Sequence, residues 1–125
     1  MGAMEQLELF PKATESDIEL AIQFLIEYPE MMAALKAMDR IGELSPSQKL
    51  LYASYKDKVE TINIAVSSII DEEVKDIIQH RYFKVSRRKY TVMRFQGKMS
   101  ESTIDRRIEK GLITITNTLK VAGII

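Results

Sequence analysis

The amino-acid sequence predicts an all-α fold with a helical N-terminal region and a C-terminal helix-turn-helix. Apolar residues recur every three or four positions along most of the 125-residue chain, which is the period of a helix. Side chains that cap helix N-termini precede several of these stretches. The composition, 46% hydrophobic and 29% charged, is that of a globular protein. The absence of cysteine excludes disulfides, thiolate zinc sites and a cysteine nucleophile.

Two helices are expected in the first third of the chain. Thr14 is followed three residues later by Asp17, a pattern typical of a capping box, and predicts a helix that starts there. Pro29 is expected to end this helix because proline lacks the backbone N–H that the next turn needs. A second short helix is predicted over residues 31–41, ended by Gly42.

The next helix is predicted to start at Ser45, with Pro46 in the first helical position, where proline is tolerated. Its apolar residues alternate at spacings of three and four, which is the pattern of a coiled-coil face. The pattern lasts about two and a half heptads, too short to establish a coiled coil by itself. Packing within the chain's own bundle and a seam between subunits both remain open. The candidate seam residues are Tyr52, Tyr55, Val59, Ile62, Val66 and Ile69.

The second half of the chain is predicted to contain three more helices. The acidic residues 71–73 favour a helix start because the helix dipole stabilises negative charge there. A break at 84–87 precedes a short helix over residues 88–96.

A turn at residues 97–99 leads to Ser100, which is a good N-cap for the last helix. Residues 112–118 are rich in β-branched side chains and alternate like a strand, so a β-wing is one alternative. The apolar stripe that runs from Ile104 to Ala122 favours a continuous helix instead.

The formal net charge of zero hides an asymmetry between the two halves. Residues 1–70 carry six basic and eleven acidic side chains, and residues 71–125 carry the other twelve and seven. Residues 79–98 contain seven basic side chains and no acidic one. This asymmetry points to a polyanion as partner for the second half, with a solvated basic face as the alternative.

Two short helices, a turn that contains glycine and a longer helix make up a helix-turn-helix, which reads DNA with its last helix. Polar residues at the front of that helix lie off the apolar stripe and are expected to face the bases, with Arg106 or Arg107 binding guanine. Glu101 can accept from a cytosine amine, although it and Asp105 repel phosphates. The base-facing candidates are Ser100, Glu101, Ser102, Thr103, Arg106, Arg107 and Lys110, and the phosphate-contact candidates are Arg87, Arg88, Lys89 and Lys98.

Three segments of this half resemble region 4 of sigma factors: residues 77–83, residues 90–93 and residues 99–107. More closely, the chain resembles the small phage and prophage regulators of the ArpU (autolysin regulatory protein) and RinA-like group. The resemblance implies a DNA-binding activator of phage late genes, for packaging, structure or lysis, in the cytoplasm of a Gram-positive host.

The sequence therefore predicts a non-enzymatic transcription regulator without cofactor or metal. Residues 1–3 are expected to be a cloning scar, residues 4–70 an oligomerisation or partner region, and residues 71–125 the DNA-binding domain. His80 is expected to be a packing or surface residue. The expected partners are duplex DNA, RNA polymerase and a second copy of the chain, without a membrane. The alternatives are a protein-interaction module that does not read DNA and a DNA-recognition subunit like the phage small terminase.

Overall fold

A computed structural model describes residues 12–85 and 87–125, so the predicted scar at residues 1–3 lies outside the described residues. The described residues contain helices and no strand, which confirms the all-α prediction. A π-helical segment directly continues the third helix. The elements are α1 Glu15–Asp39, α2 Pro46–Ser67, α3 Glu72–Gln79, the π-helical segment His80–Lys84, α4 Arg88–Phe95 and α5 Glu101–Val121.

Helix α1 passes through Pro29, so the predicted stop at this residue and the separate second helix predicted over residues 31–41 are both wrong. A proline inside a helix costs about 3 kcal/mol because one backbone hydrogen bond is lost. Burial of a large apolar side chain contributes about 1.5–3 kcal/mol. Met31, Leu35 and Met38 are all buried beyond the proline. Continuing the helix brings these three side chains into the core, and their combined burial outweighs the cost of the proline.

The predicted helix starts are confirmed at α1, α2 and α5. In each case the capping side-chain oxygen accepts a hydrogen bond from the backbone N–H three residues later, which satisfies one free amide of the first turn. Pro46 is the first residue of α2, and α1 ends three residues before the predicted stop at Gly42. The capping residues are Thr14, Ser45 and Ser100, and Asp71 caps α3 in a similar way.

The heptad pattern of α2 packs inside the chain. Its last four positions are buried, the last of them, Ile69, just after the end of α2, and Tyr52 and Tyr55 are half-buried. Helix α2 lies against α1 and α5, and the Tyr52 hydroxyl donates to Asp39 Oδ1 at 2.7 Å. Of the two interpretations of this pattern, the structure shows packing within the bundle. The buried positions are Val59, Ile62, Val66 and Ile69, which this fold does not present to a second subunit.

Helix α5 is the central element and contacts all four other helices. Its apolar stripe is buried from Ile104 to Leu119, whereas Ala122 is exposed just after the helix ends. The helix continues through residues 112–118, so the β-wing alternative is wrong. The threonines of this stretch fit a helix because their hydroxyls bond to carbonyls four residues earlier. Thr116, which is fully buried, donates to Leu112 O at 2.6 Å, and Thr118 donates to Thr114 O at 3.0 Å.

One hydrophobic core is shared by the two halves of the chain. The start of α1 is joined to the end of α5, where Lys120 Nζ lies 2.6 Å from Asp17 Oδ2. The hydrogen bond from Lys120 lowers the pKa of Asp17 to about 2. Nearby, the backbone N–H of Ala13 donates to Asn117 Oδ1 at 3.1 Å. The halves that differ in charge therefore share a core and are tied together at its edge.

In the part of the chain that the structure describes, no helix combines the length and the apolar character that crossing a membrane requires.

Side chains of α3 lie directly against the backbone of α5 at Gly111, which is buried. A Cβ atom at this position would lie 2.5 Å from Ile78 Cγ1 and 3.1 Å from Val74 Cγ1. Both neighbours are themselves buried in the core, so neither can move into solvent. Glycine is needed here because it leaves room for the neighbouring helix.

We predict that Gly111→Ala lowers the free energy of unfolding by up to about 2 kcal/mol in urea denaturation. Overpacking a core costs about 1–3 kcal/mol, and the better helix propensity of alanine offsets only about 1 kcal/mol. The control is Gly97→Ala, which would meet no atom within 4 Å. Its stability should be unchanged or up to about 1 kcal/mol higher. Equal stabilities of the two variants would contradict the close approach.

Candidate nucleic-acid interface

Helix α4, the turn at residues 96–99 and helix α5 form the predicted helix-turn-helix segment. Thr91 and Val92 are the buried residues of α4, and Phe95 and Met99 are half-buried at the turn. Gly123 is the one glycine in the described residues with a positive φ. The turn therefore does not depend on a left-handed conformation at Gly97.

The first half of α5 presents an outward stripe, which consists of Ser102, Arg106 and Lys110. All three are exposed, and their spacing of four places them on one face of the helix. Ile104 and Ile108, on the opposite face, are buried. The stripe extends about 12 Å along the helix axis, comparable with three to four base-pair steps of DNA.

Two predicted base-facing residues, Thr103 and Arg107, are half-buried. Arg107 forms an ion pair with Glu73 on α3, so its charge is neutralised within the fold. Arg106 stays exposed and donates from Nη2 to Thr103 Oγ1 at 3.1 Å. Of the two arginines considered for guanine binding, Arg106 is therefore the accessible one. Ser100 is occupied as the N-cap of α5.

Arg88, at the start of α4, binds two acidic residues of α5 in an arrangement that we call the Arg88 bridge. Its Nε donates to Asp105 Oδ1 and its Nη2 to Asp105 Oδ2, both at 2.7 Å. The same Nη2 donates to Glu101 Oε1 at 2.7 Å. The hydrogen bond from Arg88 lowers the pKa of Asp105. Arg88, which was predicted to contact a phosphate, and Glu101, which was predicted to face a base, thus bind each other.

The other three predicted phosphate contacts, Arg87, Lys89 and Lys98, are exposed. Lys89 Nζ lies 5.1 Å from the centroid of the Tyr90 ring. Arg94 on α4 is also exposed, although it was not assigned from sequence. The sequence signal that could have identified Arg94 as a candidate DNA contact is its position in the basic segment 79–98. The structure therefore places exposed cations on both sides of the turn and on the outward stripe.

His80, the first residue of the π-helical segment, contacts two residues of α4. Its Nδ1 lies 2.9 Å from Thr91 Oγ1, and its ring meets Phe95 edge-on at 5.7 Å between centroids. Burial lowers the pKa of His80, and the charges of Arg94 and Lys84 lower it further. These contacts agree with the predicted packing role. Within residues 12–85 and 87–125, no group of three or more His, Cys, Asp or Glu side chains is placed to hold a metal ion.

Comparison of the chain with protein-family models, curated proteins and solved structures found no match.

We predict that NMR titration gives His80 a pKa below 6.5 and that Arg94→Ala raises it, because a positive charge nearby opposes protonation. His80 is the only histidine in the chain, so its signals are unambiguous. The unfolded state binds the proton more tightly than the folded state. The stabilising contribution is therefore present above pH 6.5 and is lost as the pH falls through the folded-state pKa. A pKa at or above 6.5 would contradict the buried environment.

Proposed function

We propose that this chain is a sequence-specific DNA-binding regulator of transcription that places α5 in the major groove. The observation that carries the proposal is the outward stripe: a polar and cationic face on a helix whose other face is fixed in the core. An α-helix fits the major groove, where arginine binds guanine O6 and N7 with two hydrogen bonds. Arg106 takes this role, and Ser102 and Lys110 contact neighbouring bases or phosphates.

The exposed cations beside the stripe supply the phosphate contacts. Lys98 lies in the turn just before α5, and Arg87 and Lys89 lie at the start of α4. Contacts of this kind set affinity and orientation, whereas base contacts set sequence preference. The contact of Arg88 with Glu101 and Asp105 ties the start of α4 to the first part of α5, so both kinds of residue belong to one end of this helix pair.

The biological role follows from the resemblance to ArpU and RinA-like regulators. We propose that the protein activates phage late genes in the host cytoplasm. The acidic N-terminal half, with its excess of carboxylates, serves as the contact for RNA polymerase. We also propose that the protein acts as a dimer, whose contact lies outside the buried α2 positions described above.

An isoleucine at the α2–α3 connection favours a second candidate function, binding of another protein. Ile70 is 95% exposed, although its neighbour Ile69 is buried. It stands at the rim of a cleft of about 500 Å³ whose walls include Val74 and Thr114. Isolated apolar side chains are common on surfaces. Ile70, however, lines the cleft together with Val74, so a partner's apolar side chain could pack between them. In this second candidate function, the chain binds a polymerase subunit through the cleft and does not bind DNA.

We predict that Arg106→Ala and Lys98→Ala affect DNA binding differently. Arg106→Ala should reduce discrimination between a selected site and random duplex by about 1–3 kcal/mol, since a base contact is lost. Lys98→Ala should weaken binding to all duplexes about equally and reduce the slope of log K against log salt by about 1. Gel-shift titrations over a salt series measure both effects.

The control for this experiment is Arg40→Ala, because Arg40 is an exposed cation of the acidic half, and its removal should leave affinity unchanged. The same effect from both interface variants would contradict the assigned recognition face. No binding by the wild-type protein at low salt would contradict DNA binding itself, because phosphate contacts are strongest there.

We predict for the second candidate that Ile70→Gln abolishes binding to purified RNA polymerase. Ile64→Gln is the matched control, since Ile64 is 63% exposed on α2 and is not part of the cleft. Biolayer interferometry with immobilised polymerase measures the difference. Equal binding by wild type and both variants would rule out the cleft as the polymerase contact.

A further inference from the structure

We infer that Arg88 is a positioning residue: its guanidinium holds Glu101 and Asp105 of α5 and keeps their charges from opposing DNA, instead of contacting a phosphate. The inference rests on the proposed function and assigns a new role within the same site. It also accounts for two acidic residues at the front of a helix that is proposed to enter a polyanion.

The geometry of the Arg88 bridge supports this assignment. Glu101 and Asp105 lie one turn apart on α5, so their carboxylates point to the same side. Arg88 reaches both, with three hydrogen bonds of 2.7 Å, and binds Asp105 with two parallel bonds. Planar two-point pairing of this kind is stronger and more directional than a single ion contact. Arg88 Nε and Nη2 are thus both engaged by acceptors on α5.

The position of Arg88 at the start of α4 also supports a positioning role. It is the first residue of α4, where the helix dipole disfavours a positive charge. Arg87, at the N-cap, makes no side-chain capping bond. The carboxylates from α5 supply the negative charge that this helix end favours. Helix α4 buries only Thr91 and Val92, and the bridge adds a charged contact between its first turn and α5.

Loss of Arg88 would therefore leave two carboxylates at the start of the recognition helix without their counter-charge. The outward stripe begins at Ser102, between these acids along the chain. Carboxylates facing phosphates repel them, and such like-charge contacts strongly disfavour association. A phosphate-contact role and a positioning role both predict weaker binding by Arg88→Ala, but they differ once the acids are also removed.

The test compares Arg88→Ala, the double variant Glu101→Gln/Asp105→Asn and the triple variant that combines all three changes. With a random-sequence duplex at low salt, Arg88→Ala should bind about tenfold more weakly than wild type. The triple variant should bind at least as tightly as wild type, because neutral side chains at positions 101 and 105 need no counter-charge from Arg88. A triple variant that stays about tenfold weaker than wild type would overturn the inference, since the loss would then not depend on the acids and Arg88 would contact DNA directly.

A second measurement tests the bridge without DNA. NMR titration of the Asp105 carboxyl should give a pKa below its usual range in the wild type and close to that range in Arg88→Ala. An unchanged pKa in the variant would overturn the bridge in solution. Failure of the wild type to bind any duplex would reject the proposed function but leave this titration result intact, so the two failures are distinguishable.

Discussion

The structure depends on the two-sided character of α5. One face of this helix fills the centre of the core, with Ile104, Ile115 and Leu119 fully buried. The other face carries the outward stripe. Because every other helix packs against α5, the core that stabilises the protein also fixes the direction in which the stripe points. Stability and the proposed recognition therefore depend on the same helix.

This arrangement imposes constraints on the neighbouring helices. Helix α3 can cross α5 closely only because residue 111 is glycine, and the crossing brings Glu73 to Arg107. Helix α4 packs on the other side and brings Arg88 to Glu101 and Asp105. Exposed ion pairs contribute little to stability. Their main effect here is on the charge of the surface, because they neutralise the sides of α5 and leave Arg106 and Lys110 as the exposed cations of its outer face.

Local sequence signals were enough to predict the helix starts, because caps such as Thr14 and Ser100 act within one turn. Periodicity also predicted the buried stripe of α5. Continuation of α1 through Pro29 could not be predicted, since it depends on burial of Met31 and Leu35 against distant helices. For the same reason, the α2 pattern could not distinguish an internal face from a subunit seam. The Arg88 bridge joins residues thirteen and seventeen positions apart, a separation at which no spacing rule applies.

The most direct test of a two-sided α5 is an NMR titration of the labelled full chain with a random-sequence duplex of about 20 base pairs at low salt. Non-specific binding at low salt engages the same cationic surface as specific binding. The account predicts that amide shifts concentrate at Lys98, Ser102, Arg106 and Lys110, with residues 46–67 of α2 unaffected. Shifts that concentrate on α2 or spread evenly over the chain would contradict it.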